Sequence, residues 1–303
     1  MVGRFSIGTA LLALTVGASG VCLAQSESRP KSAKAIPLAT VEALQMPAWV
    51  ERAGSSVPLA PGMELKNSDE VRTGGRSRVL IRTADGSAVR LGENAALSFD
   101  GMRLREGNVF EAALKVAEGA FRFTSEYFAQ FRGKRDVQVG IRTVTAGIRG
   151  TDLWGKATPD RQVVCLIDGK IEVVEPNGAR FAMDEKYTVY ASENGVAQPI
   201  VTVPADQLEE FAAETETQDG KGVSLRGGKW KVTLSPGLGH NEALDLYEGL
   251  RRSGYAAEII PAKLERKRVY NVRLSGFETQ SDAEAVAADL KEQRGEYEYK
   301  AGR

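Results

Sequence analysis

From about Thr40 to Val203 the chain is a succession of short runs that alternate apolar with polar residues and break at Asp-Gly or Asn-Gly. A period of two sends successive side chains to opposite faces of a strand. Asx-Gly supplies the positive φ that tight hairpin turns require. Residues 81–84 and 87–91 flank Asp85-Gly86, residues 163–167 and 170–174 flank Asp168-Gly169, and residues 173–174 and 181–183 flank Pro176-Asn177-Gly178. A hairpin is expected at each, and Glu118-Gly119 before residues 120–123 is a further turn signal. Many short strands joined this way point to an all-β domain, either a sandwich or stacked strands. Two stretches depart from the rhythm. Residues 108–115 read as a short helix or an irregular strand. Residues 125–136 set Tyr127, Phe128 and Phe131 beside Arg132, Lys134 and Arg135, and read as a basic-aromatic loop or as a loop whose rings cap the core.

The pattern changes after Val203. Between Pro204 and Asp219 there are six acids and no base. Leu208 and Phe211 predict one short packed helix there, and the Thr, Gln, Lys and Gly composition of residues 214–228 reads as a linker. Beyond it the expected order is βαββαβ. Strands are predicted at 230–234, 256–260, 269–274 and 297–299, with a hairpin tip at 263–268. The first helix, 240–252, places Ala243, Leu246, Tyr247 and Leu250 on one face. Asn241 is its expected cap and Gly254 its left-handed exit. The second helix, 280–293, places Ala283, Val286, Ala287 and Leu290 on one face, with Ser281 as the expected cap. Two such halves make a small α+β domain: a four-stranded antiparallel sheet with both helices on one side and the other side bare. The fold class is therefore mixed, an all-β domain at 40–203 and an α+β domain at 229–303, joined through an acidic helix and linker at 204–228.

Arg4 is the only charge among the first 24 residues, and an apolar run to about Gly20 ends in Cys22-Leu23-Ala24. This predicts a secretory signal peptide, residues 1–24, cleaved after Ala24, with residues 25–39 a disordered lead-in. The run is broken by glycines and is shorter than the ~20 apolar residues a span needs. No membrane span is expected after cleavage, and the expected compartment is the periplasm. Cleavage leaves Cys165 as the one cysteine, expected as a small buried strand residue.

Composition excludes several functions. Forty Lys and Arg balance forty Asp and Glu, so charge does not favour a nucleic-acid partner. One histidine and two cysteines cannot build the usual zinc site. No phosphate loop or dinucleotide fingerprint appears, and no Ser/His/Asp set forms around His240 by spacing. No catalytic residue, metal or cofactor is expected. Paired acids of a cell-wall hydrolase remain an alternative, as does a periplasmic scaffold without significant wall binding.

Two resemblances add to this. Trp230-Lys231-Val232-Thr233-Leu234, the helix through Ala243, Leu246 and Leu250, Gly254-Tyr255-Ala256, and Tyr270-Asn271-Val272-Arg273-Leu274-Ser275-Gly276-Phe277 resemble the SPOR domain, a peptidoglycan-binding repeat of bacterial cell-division and envelope proteins. The family usually carries Gln where this chain has Thr233. Residues from about 49 to 198 resemble the FecR family, a periplasmic β domain. The match is strongest over Arg142-Thr143-Val144-Thr145-Ala146-Gly147-Ile148-Arg149-Gly150-Thr151-Asp152-Leu153, and continues through Asp168-Gly169-Lys170-Ile171-Glu172-Val173. That family's signalling members have a cytoplasmic sigma-binding segment and a membrane span. Neither is recognised here, so the resemblance implies only a partner-binding role.

Alternation then assigns faces. Trp230, Val232, Leu234, Tyr270, Val272 and Leu274 should pack under the helices. Lys231, Thr233, Asn271 and Arg273 should line the bare face and offer donors and acceptors to peptidoglycan glycan strands. Tyr255 or Tyr297 is a candidate stacking ring. Around Gly147 and Gly150 the expectation is a tight bend locked by an Arg149–Asp152 pair, with a ligand site as the alternative reading. The expected protein is a non-catalytic envelope protein that binds the wall through its C-terminal domain and presents its β domain to an envelope protein partner or other ligand.

Overall fold

The computed structural model describes residues 37–125 and 133–303. The expected signal peptide, the lead-in up to residue 36, and Tyr127, Phe128, Phe131 and Arg132 lie outside the described residues, as does the side chain of Arg149. The chain opens with β1 (Ala39–Gln45), the hairpin β2 (Ala48–Arg52) and β3 (Ser55–Pro58), and then β4 (Glu64–Leu65) and β5 (Glu70–Thr73). The hairpin β6 (Arg78–Thr83) to β7 (Ala88–Leu91) follows, then β8 (Ala96–Phe99), β9 (Arg103–Arg105) and the long β10 (Val109–Thr124). Residues 108–115 are thus neither helix nor irregular; most of them open the longest strand. Next come β11 (Lys134–Ile141), β12 (Val144–Ala157), β13 (Arg161–Val174), β14 (Arg180–Met183), β15 (Thr188–Glu193), β16 (Val196–Ala197) and β17 (Val201–Thr202).

Three long strands organise this domain, and each bends at a glycine. The first half of β10 pairs with β8, β9 and, in parallel, β11, while its second half pairs with β7 and β12. The switch falls at Gly119, φ +83°. In β12 and β13 the register slips where Gly150-Thr151 of one strand opposes Gly169 of the other, with φ +59° at Gly150 and +93° at Gly169. Bulges of this kind bend a strand and increase its twist. Each long strand therefore serves two sheet segments, and the domain curls into a small barrel around one apolar core that includes Phe99, Phe110, Phe121 and Phe123. Each such fully buried side chain contributes about 1.5–3 kcal/mol.

Turn chemistry is met at two of the expected hairpins. Asp85-Gly86 joins β6 to β7, and the buried Asp85 carboxylate accepts hydrogen bonds from Thr83 Oγ1 (2.6 Å) and Ser87 Oγ (2.6 Å) and pairs with Arg135 (2.7 Å). Pro176-Asn177-Gly178 joins β13 to β14, closed by Gly178 N–H donating to Glu175 O. Asp168-Gly169 and Glu118-Gly119 are not hairpins. Their glycines supply positive φ for bends within continuous strands, because the flanking residues remain paired on both sides.

After Val203 come α1 (Ala205–Thr215), β18 (Val223–Leu225), β19 (Trp230–Leu238), α2 (His240–Arg252), β20 (Glu258–Leu264), β21 (Lys267–Phe277), α3 (Gln280–Gln293) and β22 (Tyr299–Gly302). The C-terminal sheet is antiparallel in the order β22-β19-β21-β20. Both helices join one core with Val232, Leu234, Val272, Leu274 and Phe277, so they cover one face, as the pattern predicts. Among the described residues no helix is long and apolar enough to cross a membrane.

The helix starts differ from expectation. Asn241 and Ser281 lie inside α2 and α3. Thr279 caps α3 by accepting from Asp282 N–H (3.1 Å), and Glu242 Oε2 accepts from Gly239 N–H (3.1 Å) at the start of α2. Asp282 is buried because it also serves a neighbouring segment: its Oδ1 accepts from the backbone N–H of Gly222 (3.0 Å) and Val223 (2.9 Å).

The stretch expected to be a linker is built into the fold. β18 pairs with β1 of the β domain and touches β21 of the C-terminal sheet at Ser224–Phe277, so one ladder crosses from one domain to the other. The buried Gln45 side chain donates to Lys221 O (3.0 Å) and accepts from Gln218 N–H (3.0 Å). Gly254, φ +82°, lies against Trp49, where a Cβ would come within 2.6 Å of the ring. Ala48 N–H donates to Gly254 O (3.1 Å) and Trp49 Nε1 to Arg252 O (3.3 Å). Gly254 thus ends α2 as expected and also lets the two domains meet.

Gly169→Ala should destabilise the β domain by ~2 kcal/mol or more, since a Cβ there meets the Gly150 carbonyl at a φ that alanine rarely adopts; urea titration followed by tryptophan fluorescence measures it. Cys165 is fully buried, and burial together with the nearby Asp152 carboxylate pushes its thiol up to about 12. Iodoacetamide at pH 8 should leave it unmodified in the folded protein and alkylate it in urea, as read by peptide mapping.

Candidate glycan-binding face

The packing of the C-terminal core dictates what faces outward. In β19 and β21, Val232 pairs with Leu274 and Leu234 with Val272, and all four are fully buried beneath the helices. The residues between them must point the other way. Thr233 is directly opposite Arg273, and Lys231 opposite Ser275. Asn271 is two residues along from Arg273 on the same face. The four residues expected from the sequence therefore share one surface, and each is partly exposed.

The outer strands extend that surface in a way sequence reasoning missed. Lys300 of β22 is opposite Thr233, and Glu258 of β20 is opposite Arg273. One row, Lys300–Thr233–Arg273–Glu258, thus crosses all four strands, and at ~4.8 Å per strand it spans about 14 Å. The parity of β20 and β22 carries this signal, but it becomes readable only once the pairing register is known.

The electrostatics are those of a partly engaged surface. Arg273 Nη2 lies 3.3 Å from Glu258 Oε2, and Ser275 Oγ donates to the same oxygen at 3.4 Å. Arg273 Nε is buried without an acceptor among the described residues. The contact with Glu258 is long, and it engages only the Nη2 end of the guanidinium. Asn271 has a second task. β19 carries extra residues between Leu234 and Leu238, and Asn271 Oδ1 accepts from the Gly237 N–H (2.9 Å) of that bulge. Ser235 is drawn off as well, its Oγ accepting from Glu298 N–H (3.1 Å).

The candidate rings are not on this face. Tyr255 is buried in the core, where burial raises its hydroxyl pKa. Tyr297 packs against the same core. His240 opens α2 with its ring edge-on to Tyr270, centroids 5.4 Å apart. In the β domain, the expected Arg149–Asp152 pair lies outside the described residues, but the Asp152 carboxylate has another partner. It takes the Arg122 fork, at 2.9 Å to Nε and 2.7 Å to Nη2, and that hydrogen bonding raises the Arg122 pKa.

Residues 69–172 match the FecR protein family and residues 227–298 match the SPOR domain. No curated protein matches the chain. Two crystal structures of a "putative anti-sigma factor" from Parabacteroides distasonis ATCC 8503 are similar at 15% identity and a TM-score of 0.39; they cover 75% of this chain and 91% and 92% of their own. With the β barrel, the βαββαβ unit and both family matches in hand, the chain carries a FecR domain followed by a C-terminal SPOR domain.

Proposed function

We propose that this is a non-catalytic, exported envelope protein that binds peptidoglycan glycan strands through the bare face of its SPOR domain and presents its FecR domain to a protein partner. The observation that carries the reading is the row Lys300–Thr233–Arg273–Glu258 on a rigid sheet whose other face is sealed by both helices. Hydroxyl and amide groups of a sugar polymer need donors and acceptors held in fixed geometry, and the β ladder holds these. Lys231 and Arg273 supply positive charge for acidic groups on the polymer. The domain junction adds a consequence: a protein held on the wall keeps its FecR domain at a fixed orientation through β18, Gln45 and Trp49, instead of trailing it on a flexible tether.

Two substitutions separate binding from folding. Arg273→Ala should lower retention on isolated sacculi about tenfold, as expected for loss of a charged hydrogen-bonding group, with the unfolding midpoint unchanged. Asn271→Ala should cost about 1–2 kcal/mol of stability, because Gly237 N–H loses its acceptor. Sacculus sedimentation and urea titration measure both, and full retention of the Arg273 variant removes that residue from the site. Release of muropeptides from the sacculi during incubation would instead favour a hydrolase.

A further inference from the structure

We infer that the FecR domain meets its partner at an acid-rimmed apolar groove between α1 and the β15–β17 edge, and that the partner supplies a short segment of apolar side chains interspersed with Lys or Arg. This rests on the partner-binding role proposed above and gives it a place and a chemistry.

The groove encloses about 410 Å³; its apolar walls are Trp154, Val163, Val189, Val201, Val203 and Phe211, and the two bases that also line it, Lys156 and Arg161, are already paired with Glu214 and Glu193. Its floor is the outer face of β12, β13 and β15, and α1 forms one side. α1 is fastened there by the Trp154–Phe211 stack (centroids 4.0 Å, interplanar angle 3°), by Lys156–Glu214 (3.0 Å), and by Glu216 held between Arg90 and Arg122 (3.0 Å each). The groove is therefore a fixed feature of the surface.

Two observations point to an occupant. Val201 lines the groove yet is exposed, and Val196 and Ile200 are exposed on the same sheet margin. Large apolar side chains gathered at the mouth of an apolar groove mark an interaction site more often than bare surface. Charge then selects the partner. Asp206, Glu210 and Glu214 recur every four residues and form a row along α1 beside the groove-lining Gln207 and Phe211. Asp206 and Glu210 are exposed and without a base on their own helix. An apolar segment carrying Lys or Arg satisfies the groove and the row together; an acidic one is repelled.

The test uses the full chain and fluorescein-labelled peptides Lys-Leu-Lys-Leu-Lys-Leu and Glu-Leu-Glu-Leu-Glu-Leu in fluorescence anisotropy. The basic peptide should bind saturably, weaken with salt, and bind at least ~10-fold more tightly than the acidic one. Val201→Asp and Glu210→Lys alter exposed positions, so folding should persist, and each should weaken the basic peptide ~10-fold or more. Equal binding of both peptides, or binding indifferent to both substitutions, overturns the proposal. Self-association of the wild type that Val201→Asp abolishes, seen by sedimentation, overturns it in favour of a second copy in the groove. Sacculus retention of these variants should match wild type. Loss of wall binding by wild type with peptide binding intact would defeat the wall reading and leave the groove standing.

Discussion

The two helices of the C-terminal domain have one sheet face to cover, and the rest of that domain follows from this asymmetry. Val232, Leu234, Val272 and Leu274 are buried beneath α2 and α3. A strand repeats every two residues, so a slip of one position would expose all four apolar side chains together. The register that protects the core also fixes Thr233 against Arg273 and brings Lys300 and Glu258 into line. This polar surface costs little additional ordering, because it is the reverse side of a core that must form anyway.

The same economy appears at the junction. A glycine-rich stretch has the composition of a free tether, and here it is consumed by specific partners. Gln45 uses both ends of its amide on residues 218 and 221, Asp282 accepts from Gly222 and Val223, and β18 completes β1. Each bond is worth about 1 kcal/mol net, but together they satisfy backbone groups that would otherwise be buried unpaired. The FecR and SPOR domains are therefore joined as one mechanical unit.

α1 is a second element from outside the FecR match that fastens to the β domain, packing against it through Trp154 and Phe211. Acid side chains that a sequence shows only as a charge run divide in the fold into two sets. Glu214 and Glu216 are spent on fastening the helix, and Asp206 and Glu210 are left facing solvent.

How much of this was legible varies by element. The βαββαβ order and the faces of β19 and β21 were readable because period-two and period-3.6 patterns report burial directly. Asp85-Gly86 and Pro176-Asn177-Gly178 were readable as hairpins. Asp168-Gly169 and Glu118-Gly119 were not readable as bends, since positive φ serves a turn or a bulge equally and only the partner strand distinguishes them. Tyr255 could not be oriented, and the caps Thr279 and Glu242 lost out in the sequence to nearby Ser281 and Asn241. Local periodicity was enough for the mainly β character of residues 40–203, the βαββαβ order after residue 229 and the shared outward face of Lys231, Thr233, Asn271 and Arg273. Tertiary structure alone decided that Lys300 and Glu258 join that row, that Asp152 goes to Arg122, and that the apparent linker is a strand. Each depends on which distant segment pairs with which, a choice made by the total burial and hydrogen bonding of the whole chain.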